Sequence, residues 1–168
     1  SGMTTHEILK RLKDAGLGSL PGGGAEVFST AIREELCPEK LSGDEWLNTM
    51  RTAHNLGLKS NATMLYGHIE TNEDRINHLL KLRELQDETG GFMSFIPLAF
   101  HPKNTDMENI ASAAGILDLK MLAIGRLMLD NFDHIKAFWI MLGIKISQIS
   151  LSFGVDDIDG TVDRKSVV

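Results

Sequence analysis

Four times along the chain a short apolar run stops abruptly at glycine and polar residues. The clearest case is Asn61-Ala-Thr-Met-Leu-Tyr-Gly-His-Ile-Glu70, which ends in a Gly, a His and a Glu and is followed by a long amphipathic segment. The same event recurs at Pro21-Gly-Gly-Gly-Ala-Glu26, at Phe100-His-Pro102 and at Asp156-Asp-Ile-Asp-Gly160. Polar groups gathered at the carboxyl ends of successive strands, with helices between them, predict the catalytic rim of a (β/α) barrel.

The remaining patterning agrees with that layout. Thr4 or Thr5 caps a first helix carrying Ile8, Leu9 and Leu12 and stopping at Gly16. Leu17 to Leu20 reads as a very short strand, and Glu26 to Leu36 as a helix ended by Cys37-Pro38. Ser42-Gly-Asp-Glu45 is a capping box, and Trp46, Leu47, Met50, Ala53 and His54 continue it at helical spacing up to Gly57. Ala62 to Tyr66 is a strand. Asn72 to Glu88 is the surest helix, closed by Thr89-Gly90-Gly91. Phe92 to Phe100 is an apolar run that suits a strand buried on both faces. Helical patterning is weak around Asn109 to Ala113 and firm from Leu117 to Leu129. Ile135 to Met141 reads as another buried strand, Ile144 to Phe153 as a helix, and Val155 to Ile158 as the last strand. Such alternation predicts about five parallel strands joined by right-handed crossovers. An eight-stranded barrel takes about 250 residues, so a chain of 168 is expected to form part of one.

Composition narrows the partners. A net charge of −6 and a pI near 5.5 argue against nucleic acid, because phosphate binding needs clustered Lys and Arg. The most apolar uncharged stretch, Thr89 to Phe100, is too short for a membrane span and contains Pro97. A single cysteine, Cys37, excludes an intrachain disulfide and makes a reducing cytoplasm the default expectation. Cys37 reads as a buried small residue. Ser1-Gly2-Met3 reads as an expression scar.

Each rim motif has a chemical and a plain reading. In Gly22, Gly23 and Gly24, bare backbone N–H groups before a helix can receive a carboxylate or a nucleotide, and Glu26 adds an acceptor; the same string also suits a flexible turn. It lacks the Gly-Lys-Ser/Thr of a phosphate loop. His68 and Glu70, two residues apart in extended backbone, would point the same way toward a substrate or exchange a proton, or His68 could satisfy a nearby backbone group. His101, beside Pro102 and close to Asn104, ends a strand on the same rim. Asp156, Asp157 and Asp159 suit metal or ribose binding, or the first two could cap and solvate a strand entrance; Asp159, nearest the carboxyl end, is the better site candidate. Asp130 to His134 falls on the opposite face and reads as a structural turn. Arg33, Arg75 and Arg126 read as surface or interstrand ion-pair partners.

Longer strings go beyond periodicity: Leu20-Pro-Gly-Gly-Gly-Ala-Glu-Val-Phe28, Ala62-Thr-Met-Leu-Tyr-Gly-His-Ile-Glu-Thr71, Leu82-Arg-Glu-Leu-Gln-Asp-Glu-Thr-Gly-Gly-Phe92, Phe95-Ile-Pro-Leu-Ala-Phe-His-Pro102, Arg126-Leu-Met-Leu-Asp-Asn-Phe-Asp-His-Ile-Lys-Ala-Phe-Trp-Ile-Met-Leu142 and Asp156-Asp-Ile-Asp-Gly-Thr-Val162. From about Glu7 to Val162 they resemble the aminofutalosine synthases, radical S-adenosylmethionine enzymes of the futalosine route to menaquinone. The cyclic dehypoxanthine futalosine synthases and the deazaflavin-forming enzymes share the framework.

The resemblance implies a (β/α)8 TIM-type barrel of which residues 4–162 supply the fourth to eighth strands, with 163–168 a truncated tail. It implies S-adenosylmethionine and a [4Fe-4S] cluster as cofactors of the parent enzyme, and addition of an adenosyl radical to 3-[(1-carboxyvinyl)oxy]benzoate. The cluster motif of that family, Cys-x3-Cys-x2-Cys, is absent and Cys37 matches none of its ligands, so the expectation is an inactive half-barrel with no metal of its own. Gly22, Gly23, Gly24 and Glu26 are expected on the cofactor, and His68, Glu70, His101 and Asp159 on the small-molecule substrate. The alternatives are a stand-alone half-barrel binding or assembly module, or part of a related futalosine cyclase or deazaflavin-forming enzyme, and acid–base catalysis by His68 and Glu70 is a third. Open strand edges and uncovered apolar faces predict self-association of the half-barrel.

Overall fold

A computed structural model describes residues 2–103, 107–109 and 115–160. Five parallel strands lie in the order of the sequence, β1 (Ser19–Leu20), β2 (Lys59–Tyr66), β3 (Phe92–Ala99), β4 (His134–Ala137) and β5 (Asp157–Ile158). Between them run α1 (Thr5–Asp14, ahead of β1), α2 (Thr30–Leu36), α3 (Gly43–Asn55), α4 (Asn72–Thr89), α5 (Gly115–Met128), α6 (Trp139–Leu142) and α7 (Ile144–Ser150). The architecture is a partial α/β barrel, as the alternation requires.

Local chemistry sets the helix starts. Thr4 with Glu7, Ser42 with Glu45 and Thr71 with Asp74 each form a reciprocal capping box, satisfying two otherwise unpaired backbone donors apiece. At the other end of α4, Gly90 takes φ 57°, a left-handed cap that glycine adopts without strain.

The register of β2 on β3 sorts the side chains onto two faces. Ala62 pairs with Phe95, Met64 with Pro97 and Tyr66 with Ala99, and all six are buried under the helices. Thr63 with Ile96 and Leu65 with Leu98 alternate with them on the inner, barrel-lumen face. The outer core stacks Phe92 on Phe132 at 5.3 Å and on Trp46 at 6.3 Å. The Tyr66 hydroxyl donates to Asp118 Oδ1 at 2.6 Å, a buried polar tie from β2 to α5.

Four expected elements differ in extent. The strand expected over Ile135 to Met141 stops at Ala137, and Trp139–Leu142 winds into a helical turn closed by the Gly143 N–H on Trp139 O at 2.8 Å. A continuous apolar run does not by itself distinguish strand from buried helix; here Ile140 faces out and Leu142 faces in. The helix expected from Glu26 begins only at Thr30, because the carbonyls of Ala25 and Val27 are taken by a side chain and not by the following turn. The last expected helix is α7 followed by a 3-10 turn over Leu151–Phe153, and the last strand shortens to Asp157–Ile158. Residues 110–113, most of the weak helical patterning, and the tail 163–168 lie outside the described residues.

Two buried histidines tie the helices to the sheet. His54 is 9% exposed, with Nδ1 2.8 Å from Thr89 Oγ1 and Nε2 2.9 Å from Ser60 Oγ, and burial followed by the nearby Lys59 charge lowers its pKa to about 4. His78 stacks on Phe28 at 3.9 Å and donates from Nε2 to Thr63 O at 3.0 Å; burial lowers its pKa to about 3. The unfolded rings take protons near pH 6.5 while the folded ones refuse them, so stability present above that pH is lost as pH falls toward 4. Between pH 6.5 and 5, above the range where carboxylates titrate, each ring should cost about 2 kcal/mol. Urea midpoints at pH 7 and pH 5 measure this, and equal midpoints would contradict it.

Candidate functional site

Because all five strands are parallel, their carboxyl ends lie on one rim. The loop after β1 is the most constrained segment there. Gly22 O accepts from Thr63 Oγ1 at 2.8 Å, and Gly23 O accepts from Trp46 Nε1 at 3.0 Å. Arg33 supplies the rest: Nη1 donates to Ala25 O at 2.5 Å and Val27 O at 3.2 Å, and Nη2 to Gly24 O at 3.3 Å and to Leu41 O. Glu26 O accepts from Leu65 N at 2.9 Å. Every carbonyl from Gly22 to Val27 is thus held, whereas among the described residues no N–H of the same segment donates to the protein. A loop whose acceptors are occupied and whose donors are not presents a surface of positive partial charge, suited to an anionic or acceptor-rich ligand.

The three glycines differ. Gly22 has φ 76°, and a Cβ there would lie 2.0 Å from Asn61 O, so the position demands glycine for backbone approach. Gly24 has φ 80° in open space, and Gly23 has neither a positive φ nor a neighbour within 4 Å. Glu26 also adopts a left-handed φ of 46°, unusual for a residue with a side chain, and its carboxylate pairs with Lys40 at 2.8 Å.

Arg33, read from sequence as a surface or interstrand ion-pair partner, is instead only 5% exposed and bonds four backbone carbonyls. No periodicity signal separates it from Glu34 or Glu35; only the folded loop creates its partners.

After β2 the chain turns at Gly67, φ 87°, and does not stay extended. Glu70 folds back on the turn: Oε1 accepts from Gly67 N at 2.6 Å and from Arg75 Nε at 2.8 Å, and Oε2 accepts from His68 N at 2.8 Å. Burial alone would raise its pKa, and the Gly67 amide, the His68 ring and Arg75 outweigh that and hold it below the usual range. His68 lies inside the turn, with Nε2 3.1 Å from Leu65 O and Nδ1 3.2 Å from Glu70 Oε2. The two side chains are therefore together, brought there by a turn and not by strand alternation, and both are fully covered. Glu70 spends its oxygens shaping the rim. His101, exposed, follows β3 on the same rim, and Asn104 lies outside the described residues.

At β4 and β5 the structure adds a residue that sequence reading passed over. Lys136 reaches Asp157 Oδ2 at 3.2 Å and Asp159 Oδ1 at 3.1 Å. Asp156 serves the strand entrance, accepting from Ile135 N at 2.9 Å and pairing with Arg126 at 2.9 Å.

Among the described residues no three His, Cys, Asp or Glu are grouped to hold a metal. The lone thiol, Cys37, is 3% exposed and burial pushes its pKa up, the reverse of what a metal-binding thiolate needs. The residues of this chain do not fit an iron–sulfur cluster, which takes several thiolates.

Known proteins resemble the chain over nearly its whole length. Residues 89–168 match the CofH/MqnC C-terminal region. Over 97% of its length the chain is 51% identical to aminodeoxyfutalosine synthase of Thermus thermophilus, covering 45% of that protein. It is 45% identical to the corresponding Streptomyces coelicolor enzyme over 96% of its length, covering 44%. It is also 45% identical over 99% of its length to the 5-amino-6-(D-ribitylamino)uracil--L-tyrosine 4-hydroxyphenyl transferase of Methanococcus vannielii, covering 48% of it. The chain thus spans about half the length of these curated relatives. HydG, a maturase of the [FeFe]-hydrogenase, matches 92% of the chain and 35% of its own with a TM-score of 0.71 and 19% identity, a likeness of fold. The CofH/MqnC C-terminal region begins at the end of α4, so the glycine loop and the His68 turn lie upstream of it, within the stretch shared with the whole-chain relatives.

Proposed function

We propose that this chain forms the cofactor loop and one substrate wall of an aminodeoxyfutalosine synthase, a radical S-adenosylmethionine enzyme of menaquinone biosynthesis, and that it is inactive alone. The observation that carries the reading is the glycine loop on the rim of a parallel barrel, whose carbonyls are anchored and whose N–H groups have no protein acceptor among the described residues. In the complete enzyme Gly22 to Gly24 would receive the carboxylate or adenosyl portion of S-adenosylmethionine, with Glu26 an acceptor at its edge. The chemistry that cofactor supplies when bound is transfer of its adenosyl group to the enol-ether double bond of 3-[(1-carboxyvinyl)oxy]benzoate. His101, exposed on the rim, would meet the substrate, His68, covered and held by Leu65 and Glu70, would act by fixing the turn behind it, and Leu65, Ile96 and Leu98 would give the lumen a water-excluding wall. No group here supplies the cluster. The Thermus thermophilus aminodeoxyfutalosine synthase, at 51% identity, supports that activity, while its Streptomyces coelicolor counterpart and the hydroxyphenyl transferase stand level at 45%. No described helix is long and apolar enough to cross a membrane, and the reading places the enzyme in the cytoplasm.

Gly23→Val and His68→Ala in the complete enzyme test the proposal. Gly23 has room for a side chain, so its valine variant should melt close to the parent while losing product formation by about tenfold or more, because bulk now stands where a ligand approaches the backbone. Unchanged turnover in both variants would remove these residues from the site.

A second reading, a half-barrel that assembles with itself, is favoured by Ile140, Ile144, Leu151 and Phe153, all exposed near the two-residue edge strand β5. Light scattering of the isolated chain should then show a dimer or larger species; a monodisperse monomer sinks it.

A further inference from the structure

Barrel interiors are filled mainly by branched apolar side chains, and Leu65, Ile96 and Leu98 follow that rule on the inner face. One strand further the rule breaks. Phe95 pairs with Ile135 on the outer face, which turns Lys136 inward, and Lys136 stands opposite Asp157 in the β4–β5 register. Its ammonium bonds Asp157 Oδ2 and Asp159 Oδ1, and the side chains of Lys136, Asp157 and Asp159 keep 19%, 37% and 25% of their surface. Partly exposed ion pairs of this kind add little to the hold of β5 on β4.

The unspent valences are specific. Among the described residues one of the three ammonium hydrogens, Asp157 Oδ1 and Asp159 Oδ2 have no partner. The triad carries one net negative charge, which repels a carboxylate or phosphate, and the ammonium already occupies the place of a bound cation. Two adjacent hydroxyls match it: each donates to a carboxylate oxygen, and one accepts the remaining ammonium hydrogen.

We propose that Lys136, Asp157 and Asp159 form a vicinal-diol subsite on the lumen wall, which takes the ribose hydroxyls of a nucleoside-like ligand. Lys136 keeps the two carboxylates apart at a fixed spacing and lends the third hydrogen bond. The assignment rests on the proposed function only in placing a nucleoside-bearing ligand in the lumen.

Calorimetric titration of the full-length enzyme with adenosine and with 2′,3′-dideoxyadenosine tests it without requiring turnover. The wild type should bind adenosine about tenfold or more tightly than the dideoxy compound, the effect of losing charge-assisted hydrogen bonds. That preference should collapse in K136M and in D159N, and persist in K136R, which keeps a cation between the carboxylates. Equal binding of the two nucleosides by the wild type overturns the proposal, and so does a preference that survives in K136M, which would place the diol elsewhere. Product formation by the same wild-type preparation reports separately on the enzyme activity, so an enzyme that makes no aminodeoxyfutalosine yet loses diol preference in K136M refutes that activity and leaves the subsite standing.

Discussion

Replacing Arg33 by leucine is expected to cost the fold about 3–5 kcal/mol, the net of several buried carbonyls losing a charged donor at about 1–3 kcal/mol each. The leucine fills much of the volume but leaves the carbonyls of Gly24, Ala25, Val27 and Leu41 without donors, in a region where the arginine was 5% exposed. Each stranded carbonyl costs about 1–3 kcal/mol when water cannot reach it, and relaxation of the loop recovers part of the total. Lysine keeps the charge but places its three donors on one nitrogen, and cannot span carbonyls separated along the loop and at Leu41, so R33K should fall between leucine and wild type. Urea denaturation at pH 7 ranks the three proteins. Stability of R33L within about 1 kcal/mol of wild type would mean that the loop holds its shape without the guanidinium.

Gly22→Ala is expected to be as damaging, by about 3 kcal/mol or more, although it adds a single methyl group. Two costs combine. An alanine at φ 76° leaves its preferred backbone regions, and its Cβ would lie 2.0 Å from Asn61 O and 2.5 Å from Asn61 C, so the loop after β1 must move off β2 to admit it. Gly23→Ala, one residue on, meets nothing within 4 Å and should melt within a few degrees of wild type. Thermal unfolding followed by circular dichroism compares the pair, and equal melting temperatures would refute the close approach of the two backbones.

The alternation of strands and helices, the capping box at Ser42 and the full length of α4 are legible in the sequence because each depends on residues within a few positions of one another. The rim positions of Gly22 to Gly24, His68, His101 and Asp159 follow from the same local pattern. What escaped depends on distant partners. Arg33 is an ordinary helical cation until the loop ahead of it folds over. Lys136 sits inside an apolar string, and its meaning comes from Asp157 and Asp159 on the neighbouring strand. Strand alternation points Glu70 with His68 toward a substrate, whereas the turn at Gly67 folds it back onto the Gly67 and His68 amides. The end of β4 at Ala137 was hidden for another reason: Phe138 to Leu142 is apolar throughout, and burial on one side or two leaves the same composition.

The glycine loop has its shape dictated from outside, by Thr63 on β2, Trp46 on α3 and Arg33 on α2. A six-residue string cut from this protein and spliced into another barrel would carry the letters without the conformation. The transferable part is a discontinuous one: the loop together with three side chains up to 41 positions away, which must be moved as a set. Any search for the same device in other proteins that scans for glycines alone will therefore find many strings and few working loops.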